Sequence, residues 1–271
     1  MRGFLSFCVY YKQRDQERRM TMRTEILSFF IAGTVCGSFI ACVSDRMIKG
    51  EDWKRGRSRC DHCGHVLSAG ELIPVISYLI QKGRCRHCGK RIPWSCPAAE
   101  VFCGAAFSML YLSRGSTDLM LVRNLILAVL LCGISLTDMK THLIPDGFQE
   151  AAVLCWFVSV LSSENRTALI GEGIAGGFLT WLSVALCAYA MKRIMKKETI
   201  GEGDLILYAV CGLYTGWFRG QLMILFSCLA GLVPALLFRP RRIPFAPCIS
   251  AACIAVLCFG DPVMKIFSPG F

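Results

Sequence analysis

The chain is poor in histidine and in charge: its 271 residues include 4 histidines, and 18% are charged. Three of the histidines, His62, His65 and His87, fall in one polar loop, which leaves His142 alone elsewhere. A Ser-His-Asp or Cys-His nucleophile system therefore has almost nothing to be built from. No His-Glu-x-x-His occurs, so the ligand set of a zinc metalloprotease is missing too. The first apolar run lacks a clear small-residue cleavage site and many apolar runs follow it, so an isolated signal peptide is not expected.

What the chain has is apolar length. Hydrophobic residues make up 54% of it, with a mean hydropathy of +0.50. They gather into runs at 26–43, 97–113, 119–137, 147–162, 168–191, 205–218, 221–238 and 244–260, several of them short. Runs of this kind predict bilayer-crossing helices, because backbone polar groups in lipid must be paired within the segment. The expected fold is all-α: a polytopic integral membrane bundle of six to eight transmembrane helices with a small cytoplasmic loop.

The formal net charge of +11 raises the question of nucleic acid. Its distribution points instead to a bilayer. With the loop 44–96 placed in the cytoplasm and the others alternating, 19 Lys/Arg fall on the cytoplasmic side and 11 on the other. That is the positive-inside pattern, so the expected partner is lipid and not nucleic acid. The tail 1–25 dissents, being basic yet placed outside. A translation start at Met20 or Met22 would remove most of the conflict.

Of the 17 cysteines, 13 are scattered, and most of those lie in apolar runs, where a lone cysteine acts as a small hydrophobe. The other four form Cys60-Asp61-His62-Cys63 and Cys85-Arg86-His87-Cys88, each followed by glycine (Gly64 and Gly89). Two such pairs about twenty residues apart predict a structural Zn2+ site of four thiolates, with no open position for catalysis. A disulfide framework is not expected on a reducing face. His62, His65 and His87 read as solvated residues or substitute ligands. The run 72–80 between the pairs is too short to span, and is expected on the membrane face or beneath the zinc module.

Two aspartates stand where apolar runs meet polar loops. Asp138 opens a segment that ends in Ile144-Pro145-Asp146, and Asp204 closes Gly201-Glu202-Gly203-Asp204. A carboxylate at a bilayer edge is costly and marks a functional site by default. An even number of runs separates the two, which places both on one membrane face. Gly201 and Gly203 allow close backbone approach, and Asp146 reads as a helix N-cap or as a further catalytic group. Two neighbouring carboxylates suit peptide hydrolysis: they cannot both ionise, so one takes a proton from water while the other polarises the scissile carbonyl.

In combination these motifs resemble the type IV prepilin peptidases, membrane aspartic proteases. The similarity runs from about Gly33 to Gly216: Gly33-x-x-x-Gly37-Ser38-Phe39, Arg57-Ser58-x-Cys60-x-x-Cys63, Leu72-Ile73-Pro74, Ser77-Tyr78, Gly83-x-Cys85-x-x-Cys88, Pro97-x-x-Glu100 and the two aspartate motifs follow in family order. The resemblance implies removal of a short basic leader from prepilin or pseudopilin precursors at the cytoplasmic face of a prokaryotic inner membrane, with Asp138 and Asp204 catalytic. It also implies N-methylation of the new terminus with S-adenosylmethionine in many members, associated with the loop 44–96 and with Glu100. A first helix (26–43), that loop and a peptidase region (97–271) make up the expected division. Three positions depart from the family: Ile206 stands where lysine is usual, Lys140 where the residue is often acidic, and Cys96 where tyrosine often precedes Pro97. Two other readings remain at this level: a methyltransferase or zinc-stabilised scaffold with impaired protease activity, and a small transporter using its carboxylates as proton carriers.

Overall fold

The computed structural model describes residues 2–52, 54, 56–196, 200–238 and 243–267, with side chains between 20 and 260 of these except Phe238. Arg55, Lys197 and the basic run at 239–242, counted above in the charge pattern, lie outside the described residues.

The chain is helical almost throughout, and no strand occurs among the described residues beyond two isolated bridges. The helices are α1 (Arg2–Lys49), α2 (Ile76–Ile80), α3 (Ser95–Arg114), α4 (Leu119–Thr141), α5 (Asp146–Leu161), α6 (Arg166–Met195), α7 (Glu202–Thr215), α8 (Trp217–Phe238) and α9 (Ala246–Phe267). Each of the eight apolar runs falls on one of them. Five are long and apolar enough to cross a membrane: α1 over Met20–Lys49, α3, α4, α6 and α8 over Trp217–Leu237. The protein is an integral membrane helix bundle. Helices α5 and α7, at 16 and 14 residues, are shorter.

Two helix boundaries differ from expectation. Asp146 is not the cap of α5 but its first helical residue; Pro145 takes the cap position, extended at φ −69° and ψ 127°, with no side-chain cap hydrogen bond. The ring fixes the φ that a helix entry needs, and the carboxylate then sits at the positive end of the helix dipole. The run 205–218 stops early, at Gly216, whose φ of +77° turns the chain straight into α8. Glycine adopts that conformation without the clash a Cβ would make.

Glycine also sets the helix packing. A Cβ on Gly33 would lie 2.5 Å from the Cys103 carbonyl oxygen, and one on Gly37 2.6 Å from that of Ala99, so α1 and α3 touch backbone to backbone. The same holds between α6 and α7: a Cβ on Gly176 would lie 2.5 Å from the Gly212 oxygen, and one on Gly212 2.7 Å from the Gly176 oxygen. Lipid gives no hydrophobic drive between helices, so close packing of small residues has to supply the attraction.

One end of the bundle gathers the C-terminal ends of α1 and α4 with the N-terminal ends of α3, α5, α7 and α9. The Lys140–Asp45 ion pair ties α4 to α1 there, and the Ala246 N–H bonded to Asp138 ties α9 to α4. The other end collects the start of α4 and the end of α7, where the Arg123 guanidinium covers the Tyr214 ring.

Replacing Gly176 by Ala is expected to destabilise the protein by about 2 kcal/mol through overpacking. Gly171→Ala in the same helix, where a Cβ would meet nothing within 4 Å, is expected to cost nothing. Thermal unfolding of both variants in detergent checks the contrast.

Candidate active site

Asp138 lies in the last turn of α4 and is 6% exposed. Its Oδ2 accepts the Ala246 N–H at 2.9 Å, so the first turn of α9 holds the carboxylate in orientation. The Phe245 N–H and the His142 ring also act on it. His142 ends α4 in a left-handed conformation (φ 53°) and returns its own N–H to the Asp138 carbonyl at 2.9 Å.

Asp204 sits half-buried in the first turn of α7, with the Gly201 N–H facing its carboxylate and the charge of Asp138 acting on it directly. The two motifs are packed together. A Cβ on Gly203 would be 3.2 Å from the Ile144 Cβ, tighter than most real contacts, and Gln149 Nε2 donates to the Gly203 carbonyl at 3.2 Å. Pro145 starts α5 beside this contact, and Asp146 is exposed. The aspartates and their supporting Gly201 and Gly203 thus meet at one end of the bundle.

Three participants were not singled out from sequence: Gln149, and the backbone N–H groups of Phe245 and Ala246. The start of α9 was marked in the chain, since Pro244 and Pro247 bracket it and proline favours the first helical turn. Among the positions that depart from the family, Lys140 pairs with Asp45, Ile206 is 47% exposed on α7, and Cys96 lines a cavity described below.

The four cysteines also converge. The sulfurs of Cys60, Cys63, Cys85 and Cys88 lie within 4.8 Å of one another, and Cys60 and Cys88 are 3.9 Å apart. A tetrahedral ion with metal–sulfur bonds of about 2.3 Å needs sulfurs about 3.8 Å apart, so this cluster can hold a metal. Each pair is built alike. Cys60 N–H donates to the His65 carbonyl and Gly64 N–H to that of Cys60, while Cys85 and Gly89 repeat the pattern with Lys90 and Cys85. Gly64 and Gly89 are both left-handed, at φ +70° and +69°. The N–H groups of Cys88 and then His87 pull the Cys85 thiol down to about 7, while Cys63 in the same cluster is pushed up to about 11. Among the histidines, His65 and His87 stack at 4.9 Å, and His65 faces Glu71 at 3.7 Å.

Between this module, the end of α1 and the start of α3 lies a cavity of about 240 Å³, lined among others by Cys42, Asp45, Arg46, Cys96 and Glu100. Glu100 is 8% exposed, and its Oε2 accepts the Val75 N–H at 2.7 Å. Val75 sits at φ 60°, ψ −50° in a tight three-residue turn, a strained conformation for a β-branched side chain that Glu100 pins in place. The apolar run that contains this turn is largely on the surface: Leu72, Ile73, Ile76, Leu79 and Ile80 are all exposed.

Comparison with known proteins places the chain in a family. Residues 31–114 match the bacterial peptidase A24 N-terminal domain, and residues 125–236 match the type IV leader peptidase family. The prepilin leader peptidase/N-methyltransferase of Burkholderia pseudomallei is 35% identical over 216 residues, covering 76% of this chain and 68% of that protein. That of Bacillus subtilis is 29% identical over 245 residues (88% and 96%), and that of Pseudomonas putida 30% over 213 residues (76% and 73%). No solved structure matches the chain. The second matched region holds both aspartates at one end of a membrane helix bundle, and the chain belongs to the type IV leader peptidase family.

Proposed function

We propose that Asp138 and Asp204 are the catalytic pair with which this membrane protein removes leader peptides from type IV prepilin or pseudopilin precursors. The observation that supports the reading is the packing of the two motifs at one end of the bundle, where Gly203, next to Asp204, lies against Ile144 of the segment that Asp138 opens. Such a pair shares a proton. The ionised carboxylate takes a proton from water as it attacks the scissile carbonyl, and the protonated one donates to that carbonyl. The Ala246 N–H fixes the Asp138 carboxylate, and the contacts of Gly203 with Ile144 and Gln149 fix the turn that carries Asp204. Gly201, Pro145 and Asp146 complete the framework of the site, and the exposed Ile206 beside it is a surface for the apolar part of the substrate.

The active face is the cytoplasmic one of the prokaryotic inner membrane. The loop that shares this end of the bundle carries 11 Lys/Arg between residues 44 and 96, which supports that orientation. The division of labour follows the chain: the loop 44–96 with the first helix serves N-methylation, and 97–271 serves proteolysis. The ion at Cys60, Cys63, Cys85 and Cys88 is zinc, whose preference for four thiolates the cluster suits. S-adenosylmethionine, when bound, supplies a methyl group on a positively charged sulfur. The cavity beside Glu100 suits it chemically, since Asp45 and Glu100 can face its cationic groups and Arg46 its carboxylate.

Asp138→Asn and Asp204→Asn are each expected to lower leader cleavage at least about 1000-fold while the protein remains inserted, because neither amide can share the proton. Incubating a purified prepilin with each variant and weighing the products checks this, and full processing by both would refute the assignment. Cys60→Ser and Cys85→Ser are expected to drop bound zinc from about one ion per chain to near zero, read by elemental analysis, with faster proteolysis of the loop. Glu100→Gln is expected to weaken S-adenosylmethionine binding about tenfold in a calorimetric titration while leader cleavage persists.

A further inference from the structure

The end of the bundle opposite the aspartates holds a second cavity, of about 360 Å³, and its charged lining is all cationic. Arg114 comes from the end of α3, Arg123 from the first turns of α4 and Arg219 from the start of α8. Arg123 is the central group. It is only 8% exposed, and no carboxylate lies within ion-pairing distance of it among the described residues. Its Nε donates to Asn124 Oδ1 at 3.3 Å, and its guanidinium carbon lies 5.0 Å from the centre of the Tyr214 ring. Neither neighbour is an anion, and the Tyr214 hydroxyl is already given to the Ala152 carbonyl at 2.6 Å.

Two carboxylates of this edge act on the rim arginines, and the charge of Asp118 also reaches Arg123 without pairing with it. Asp118 takes Arg114 at 2.9 Å and caps α4 through the Leu121 N–H at 2.8 Å. Glu172 acts on Arg219. A buried guanidinium without an anion is a costly arrangement, and here it borders an empty volume large enough for one. Guanidinium forks match the paired oxygens of a phosphate, and a lysine would not.

We propose that this cavity binds a phosphate-class anion, with Arg123 as the principal ligand and Arg114 and Arg219 at its rim. The rise of α4 places Arg123 about 22 Å from Asp138, near the opposite membrane surface. Phospholipid headgroups are the phosphates concentrated there, and soluble phosphate carries the same chemistry. The site is separate from leader cleavage, and its test does not depend on that activity.

The full-length protein, delipidated in a neutral maltoside detergent, is titrated with phosphatidylglycerol, with diacylglycerol as the uncharged control, and with inorganic phosphate. Native mass spectrometry and thermal unfolding read the binding. Phosphatidylglycerol is expected to bind and raise the unfolding temperature, diacylglycerol not to. Competition by inorganic phosphate at equal concentration identifies a soluble-anion site, and its failure to compete identifies a lipid site. In either case Arg123→Gln is expected to weaken binding about tenfold, and Arg123→Lys to fall between. A cooperative unfolding transition of the ligand-free Arg123→Gln protein reports that the variant is folded. If it does not fold, Arg114→Gln at the rim is expected to weaken binding about threefold. Equal affinity in the wild type and the folded variants, or no binding of either phosphate to the wild type, overturns the proposal.

Discussion

Helix α7 is held to α6 by direct backbone contact. The carbonyl oxygens of Gly176 and Gly212 each occupy the space where the other residue would carry a Cβ. Contact this close gives van der Waals attraction where lipid supplies no hydrophobic drive, and it leaves the short helix little freedom to slide. The position of Asp204 depends on it. Gln149 and Ile144 then fix the turn at the head of α7 against α5 and the segment that follows α4. Asp138 is held from the other side by the first N–H of α9. The site is thus assembled from four helices, none of which carries more than one of the two acids.

The polar end of the molecule has its own framework. Two knuckles of the same hydrogen-bond pattern bring four thiols together. The loop is bonded back to the bundle by Glu100 through the Val75 N–H, by Lys49 to Asp61 at 2.5 Å, and by Arg46 to the Gly56 and Arg57 carbonyls. The Lys140–Asp45 pair links the rim of the adjacent cavity to the helix that ends in Asp138. The end of α4 that carries Asp138 and the cavity beside the cysteine module are therefore neighbours.

The eight apolar runs were readable as helices because a bilayer imposes length and composition on any segment that crosses it. The cysteine pairs were readable because metal geometry imposes a local spacing. What could not be read depends on contacts between distant segments. Nothing local indicates that Ala246 bonds to Asp138, or that Lys140, a departure from the family's usual residue, answers an acid on α1. Asp146 was misplaced as a cap because aspartate is a good capping residue in general, whereas here Pro145 already fixes the entry to α5. Arg123 read as an ordinary edge charge, because burial between helices leaves no mark on a residue four positions into an apolar run.

The shortness of α7 has a consequence for the surrounding lipid. From Asp204 to Tyr214 it rises only about 15 Å, and α4 covers about 22 Å between Asp138 and Arg123, against about 30 Å of hydrocarbon in a typical bilayer. The acidic and the basic clusters are closer together than the membrane is thick. At least one of them is recessed below the level of the headgroups, or the bilayer thins to meet them. Where the bilayer thins, the protein is a point of hydrophobic mismatch, and the thickness of the host membrane becomes a variable that bears on water entry to the aspartates.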